Sequence, residues 1–199
     1  MGYSQADKAK SRQRILDAAA VQIRELGLDG LSIAELMKSA KLTHGGFYGH
    51  FDSRDQLISE ALAKALSEGG PESVRLGGTS GPRTLKTLLN TYLSKAHRDD
   101  PSVGCAVAAL AGDVARSDRK TREVMTDYLS NYFDNVADLL EDDHPDESAI
   151  AIVCTMVGAV ALARVARDLS MSDKILRAAQ RSILDLVECR GQRTDDRAR

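Results

Sequence analysis

Apolar residues recur along this chain at the three-and-four spacing of a buried helical face, in one segment after another. The first run, from about Lys8 to Leu26, carries Ile15, Leu16, Ala19, Ile23 and Leu26 on one stripe, and Gly27 stops it. The second holds Ile33, Leu36, Met37 and Ala40, and Ser32 with Glu35 forms a capping box that predicts a helix from Ile33. Lys41-Leu42 reads as a turn. Thr43 can then cap a third helix, in which Phe47 and Phe51 lie four apart and send both rings into the core. Ser53 with Gln56 is another capping box, and a fourth helix is predicted over about Arg54 to Glu68.

Glycine and proline then dominate residues 69–82, which reads as a loop. Beyond it the pattern resumes. Pro82 suits a first helical position, and Leu85, Leu88, Leu89, Tyr92 and Leu93 make a stripe through about Lys95. Further helices are predicted over 105–116 and 119–140, then from His144-Pro145-Asp146, past an Asp142-Asp143-His144 charge cluster, to about Leu169. The last is predicted from Asp173, capped by Ser172, to about Glu188. The expected fold is all-α with about nine helices. Residues 1–53 form a helix-turn-helix domain, 54–190 a larger helical domain entered through the 54–68 connector, and 191–199 a disordered tail.

The third helix has an unusual far side. At about 100° per residue, Gly45, Gly46 and Gly49 fall opposite the two phenylalanines. Each glycine costs a helix interior about 0.8–1.0 kcal/mol relative to alanine, so three together need a reason. Close approach of the backbone to a bulky partner is one, and a DNA major groove is such a partner. Thr43, Tyr48, Ser53 and Arg54 are then candidate phosphate contacts, and His44 and His50, with Tyr48, candidate base readers. Net charge is −2, and the first 68 residues balance acid against base. Within residues 1–14, however, Lys8, Lys10, Arg12 and Arg14 face only Asp7, which suits a basic arm touching phosphates.

Residues 8–57 resemble the N-terminal DNA-binding domain of TetR/AcrR-type transcriptional regulators. The resemblance runs through Arg14-Ile15-Leu16-Asp17-Ala18-Ala19, Gly27, Gly30-Leu31-Ser32-Ile33-Ala34-Glu35, the whole of Leu42 to Phe51, and Ser53-Arg54-Asp55-Gln56-Leu57. It implies that Ser32, Thr43, Tyr48 and Arg54 hold phosphates while the helix from Thr43 lies in the groove. His44, Gly46, Gly49 and His50 depart from the common pattern and leave fewer side chains to read bases.

Residues 149–163 are apolar nearly all round and mostly small, so that helix must be covered on more than one side. One side can meet its own domain and the other a second copy. A homodimer through the last two helices, over about 146–190, follows, and the resemblance implies the same interface. Its two reading helices would face a pseudo-palindromic double-stranded operator about 34–36 Å apart.

Cys105, behind Pro101-Ser102-Val103-Gly104, should sit near a helix N-terminus, where a thiolate is favoured, more so if Lys95, His97 or Arg98 lies close. Gly104-Cys105 and Ala108 to Gly112 look like a pattern in some TetR-type members, a few of which sense electrophiles or oxidants. Cys105 is thus read either as a thiol sensor or as a small buried residue; Cys154 reads as packing and Cys189 as exposed. Met125, Tyr128, Phe133, Met156 and His97 are candidate lining for an otherwise unknown small-molecule effector.

No phosphate loop, HExxH, GxSxG or CxxC is present, and the four histidines are scattered. No enzyme activity, metal or cofactor is expected. There is no leader pattern, the longest apolar stretch falls short of a membrane span, and three unpaired cysteines fit a cytoplasmic setting. The reading is a ligand-responsive DNA-binding regulator, most simply a repressor. The alternative is a helical small-molecule-binding protein or adaptor that does not touch DNA.

Overall fold

The computed structural model describes residues 5–69, 84–141 and 143–197, and for 191–197 the backbone path alone. The loop expected over 69–82 therefore falls outside the description apart from Gly69, as do Pro82 and Asp142. The described residues form nine α-helices and one 3-10 helix, with no strand among them.

Helix α1 (Gln5–Leu26) buries Ile15, Leu16, Ala19 and Ile23, as its periodicity requires. It stops at Gly27, whose φ of 77° closes the helix. Helix α2 (Ile33–Ser39) starts at Ser32, whose hydroxyl accepts the Glu35 N–H at 3.4 Å. Lys41 takes the left-handed conformation, with φ 59°, and makes the turn.

The next element departs from expectation. Residues His44–Gly49 form a 3-10 helix rather than an α-helix, and Thr43 precedes it without capping through its side chain. Three glycines in six residues leave little to favour the longer α-helical nucleus, while the tighter winding suits a short piece. Phe47 and Phe51 still go inward, each 1% exposed, with ring centroids 5.6 Å apart. Burial of each ring contributes about 1.5–3 kcal/mol. That anchorage holds a weak helix in place.

Helix α3 (Arg54–Gly69) packs on α1 and on α7 (Arg119–Ala137), so it belongs to both cores. Its Ser59 hydroxyl lies 3.3 Å from that of Thr121 on α7, and both are buried. The N-terminal helical unit is tied to the rest of the chain at a second point. Asp113, on α6 (Ala106–Ala115), accepts the Leu28 N–H at 3.0 Å and stands against Gly27, where a Cβ would strike it.

The stripe from Leu85 divides into α4 (Leu85–Tyr92) and a short α5 (Lys95–Asp99), because Ser94 caps a new start. Helix α8 (Pro145–Val165) ends four residues earlier than expected, and α9 (Leu169–Arg197) begins before Ser172. The side chain of Asp168 accepts the Ser170 and Met171 N–H groups and makes the start. Ser172 instead lies inside α9, donating to the Ala163 carbonyl and accepting from Arg98. The backbone of α9 runs on to Arg197, through most of the residues expected as a tail, and no proline or second glycine follows Gly191 to end it.

Helix α8 buries Ala149, Ile152, Val153, Met156, Ala159, Val160 and Ala163. By length and composition it could cross a membrane, a criterion that the core helix of a globular domain also meets. Cys154 is not packed inside, as expected from the sequence, but exposed. With Ile150, Gly158 and Leu162 it marks an outward stripe at four-residue spacing, continued by Val165, Leu169 and Met171.

Candidate DNA interface and effector site

The glycine flank is open. A Cβ placed on Gly45 or on Gly49 meets nothing within 4 Å among the described residues. Gly46 differs, because its Cβ would rest on Met37 and Thr43 at ordinary contact distance, so it faces α2. Tyr48 projects outward, 73% exposed, with its ring set edge-on against Phe47 at 5.2 Å. His44 is exposed beside it.

A groove of about 400 Å³ runs along this helix. Thr43, Gly46, Gly49 and His50 line it from one side, and Lys8 and Ser11 of α1, with Lys41 and Leu42 of the turn, from the other. The basic arm and the glycine helix are thereby brought together. Lys41 has the clearest claim to be a residue missed by sequence reasoning, which treated it only as a turn. It lines the groove from a left-handed backbone, a conformation that non-glycine residues rarely adopt.

Arg12 fixes the geometry from behind. Its Nε donates to the His50 carbonyl at 3.2 Å, its Nη2 pairs with Glu60 on α3, and its guanidinium lies 4.7 Å over the Phe51 ring. His50 is half-buried. Burial, then the charges of Lys8 and Arg12, hold its imidazole below the ordinary histidine value. It is therefore neutral at physiological pH, and its Nδ1 has no hydrogen-bond partner among the described residues.

Three expected phosphate contacts stand apart from the groove. Ser32 and Ser53 serve as helix caps, Ser53 accepting the Gln56 N–H at 3.1 Å. Arg54 turns its Nη2 to the Leu28 and Asp29 carbonyls, at 2.9 and 3.4 Å, and so pins α3 to the turn after α1. This tertiary bond between residues 26 apart in sequence left no local sign.

In the larger domain Cys105 is 1% exposed and occupies the N-cap of α6, near a helix start as expected. Of its three candidate basic neighbours, only His97 meets it. Lys95 and Arg98 are paired with Asp173, and Arg98 also with Asp99. His97 donates through Nδ1 to the Tyr92 carbonyl, at 2.6 Å, and accepts the Cys105 N–H through Nε2, at 2.9 Å. Accepting that N–H requires a neutral ring. Burial lowers the His97 pKa, the hydrogen bond to Tyr92 works against it, and Arg164 lowers it further.

A linkage prediction arises here. A depressed histidine pKa gives stability that is present above the unfolded value of 6.5 and lost as pH falls through the folded one. Thermal midpoints should therefore decline between about pH 7 and about pH 5. His50 contributes with the same sign, so His97→Gln should remove only part of the slope. An unchanged slope in that variant would show that His97 does not hold the bridge.

The Cys105 loop also reaches the DNA-binding unit. Arg24 of α1, 5% exposed, donates to the Ser102 carbonyl at 2.6 Å and to the Ala65 carbonyl and Glu68 of α3. A Cβ on Gly69 would strike the Gly104 carbonyl. Of the other lining candidates, Met125 and Met156 are buried in the core, while Tyr128 and Phe133 are half-buried against it.

Comparison with known proteins agrees with this geometry. Residues 15–61 match the pattern of the family described as bacterial regulatory proteins, tetR family. An uncharacterized HTH-type transcriptional regulator of Mycobacterium tuberculosis is 28% identical over 186 residues, spanning 87% of this chain and 94% of that protein. The HTH-type transcriptional repressor KstR2 of Rhodococcus jostii is 29% identical over 86 residues, 42% of each chain. A TetR-family regulator of Cytophaga hutchinsonii superposes with a TM-score of 0.75 at 20% identity, over 93% of this chain and 98% of that one. The reduced form of NemR from E. coli does so at 0.70 and 20% identity, over 87% and 95%. The chain is thus similar along most of its length to TetR-type transcriptional regulators, and residues 15–61 carry the N-terminal pattern of that family.

Proposed function

We propose that this protein represses transcription in the cytoplasm as a homodimer on a pseudo-palindromic operator, and leaves the DNA when a small molecule or electrophile engages the larger domain. The observation that carries this reading is the open flank of Gly45 and Gly49. That backbone can lie against base edges, with Tyr48, Thr43, Lys8 and Lys41 placed around it for phosphates. Ser32, Ser53 and Arg54 act mainly by fixing helix starts, and helix N-termini themselves offer N–H groups to phosphate.

The second copy sits on the outward stripe of α8, with α9 beside it. Ile150, Leu162, Val165, Leu169 and Met171 are between 45% and 81% exposed in the single chain, too much apolar surface to leave in water without use. Gly158 and Cys154 between them let another helix approach closely. This face lies opposite the α8 core residues, so a partner there leaves the reading helices free.

Release is a population shift. An effector that prefers the form with misplaced reading helices weakens DNA binding by that preference. Arg24 and Gly69 give the Cys105 loop a direct mechanical hold on α1 and α3.

The test is a gel shift against DNA upstream of the protein's own gene. Specific binding should fall steeply as salt rises. Added N-ethylmaleimide should release the DNA from wild type and from Cys154→Ser/Cys189→Ser, but not from Cys105→Ser. Release that persists in Cys105→Ser ends the thiol-sensor reading and leaves Cys105 as packing. Binding of N-ethylmaleimide with no specific DNA complex would favour the carrier alternative.

A further inference from the structure

Tyr92 on α4 and Tyr132 on α7 are each 1% exposed, yet neither hydroxyl has a hydrogen-bond partner among the described residues. Buried polar groups are nearly always paired, and phenylalanine would fill almost the same volume with nothing left unmet. Two such hydroxyls in one core therefore need an explanation.

They share one location. The Tyr92 ring lies 4.6 Å from the His97 ring, and His97 in turn holds the Cys105 backbone. Tyr132 packs against Tyr128 at 6.0 Å between centroids. The Tyr92 hydroxyl neighbours both the Cys105 thiol and the Tyr132 hydroxyl, each contact falling short of a hydrogen bond of ordinary geometry. Burial pushes both phenols well above the usual tyrosine value, so each keeps its proton and is a donor. Both tyrosines belong to the buried apolar core of the chain, as do Leu89 and Val136 on the same two helices.

The chemistry selects the ligand. Two converging O–H donors want one acceptor oxygen with two lone pairs. The cation nearby, Arg164, already gives Nε and Nη2 to the Arg98 and His97 carbonyls. A carboxylate entering this core would lack a dedicated counter-charge and would be costly to desolvate. A neutral carbonyl oxygen meets both donors and brings no charge.

We propose that Tyr92 and Tyr132 form the polar end of the effector site and together grip the oxygen of a small, mainly apolar, neutral carbonyl compound. This rests on the effector-response reading given above. It is independent of any reaction at Cys105, since the grip is by hydrogen bonds alone.

The first test needs no ligand. Tyr92→Phe and Tyr132→Phe each remove an unpaired hydroxyl, so their thermal midpoints should hold or rise by about 2–4 °C. A fall of that size in both would mean that the hydroxyls are already satisfied, and would overturn the proposal. The second test titrates the full-length protein with butanone, cyclohexanone and acetophenone, against benzoate and ethylbenzene. The chain has five tyrosines and no tryptophan, so its intrinsic fluorescence reports tyrosine directly. At least one ketone should bind saturably, with affinity about tenfold lower in either Phe variant. Benzoate and ethylbenzene should bind more weakly than acetophenone. No ketone binding, equal binding in the Phe variants, or a preference for benzoate would each overturn it. Ketone binding that depends on both tyrosines but leaves the operator complex intact would support the site and end the response reading, so the two failures are distinguishable.

Discussion

Gly158→Glu should turn the protein into a monomer and reduce operator affinity by about a thousandfold or more, to the level of non-specific binding. In the isolated chain the change is harmless. A Cβ at Gly158 meets nothing within 4 Å among the described residues, and replacing glycine inside a helix gains about 0.5–1 kcal/mol. In the proposed dimer the same position lies on the α8 stripe between Cys154 and Leu162. An isologous contact repeats the change on both copies, so two carboxylates enter one apolar interface without partners. Monomerisation then separates two half-sites that bind cooperatively only when joined. Analytical ultracentrifugation reads the first effect and a gel shift the second. A variant that stays dimeric, with wild-type operator affinity, would move the interface off α8. The design has a useful asymmetry: helicity should be unchanged or higher, so loss of DNA binding could not be ascribed to unfolding.

Gly49→Trp should leave folding and dimerisation intact and weaken the operator complex by at least about a hundredfold. The indole would project from the open flank of the 3-10 helix, where the free protein has room for it. Room is lacking only if a groove wall occupies that space in the complex. The loss should fall on specific binding and spare the salt-dependent non-specific component, because the groove-lining cations Lys8 and Lys41 remain. Gly46→Trp is the instructive contrast. Its side chain would be driven into Met37 and Thr43, so it should lower the thermal midpoint as well. Specific binding by Gly49→Trp at wild-type strength would mean that the glycine flank does not face the bases.

Both predictions draw on surfaces whose existence was legible before any coordinates. Phe47 and Phe51 at four-residue spacing fix which way the short helix turns, and Gly45 and Gly49 are left on open sides of it while Gly46 turns to α2. The capping boxes at Ser32 and Ser53 place two helix starts by local hydrogen bonds alone. The all-round apolar character of residues 149–163 gives the expectation of a helix covered on two sides, of which the chain's own core covers one.

Local pattern failed where a long-range partner decided the outcome. Arg54 read as a phosphate contact, and no local pattern announced that its Nη2 also donates to the Leu28 and Asp29 carbonyls. Cys154 looked buried because its neighbours are, but periodicity without a fixed phase does not say which side meets the core. Tyr92 and Tyr132 scored as ordinary core residues, since a sequence shows a phenol but not whether its hydroxyl finds a partner. Ser172 looked like a cap until Asp168 took the position and left it to Ala163 and Arg98.

The sequence by itself therefore determined the helices, the inward face of each, and the bare strip of the third, because these depend on residues within a turn or two of one another. Tertiary structure alone decided which cations remain available, which hydroxyls stay unmatched, and how the Cys105 loop grips α1 and α3. Those outcomes join groups from 25 to 85 residues apart, and only the folded chain brings such groups within a hydrogen bond's length.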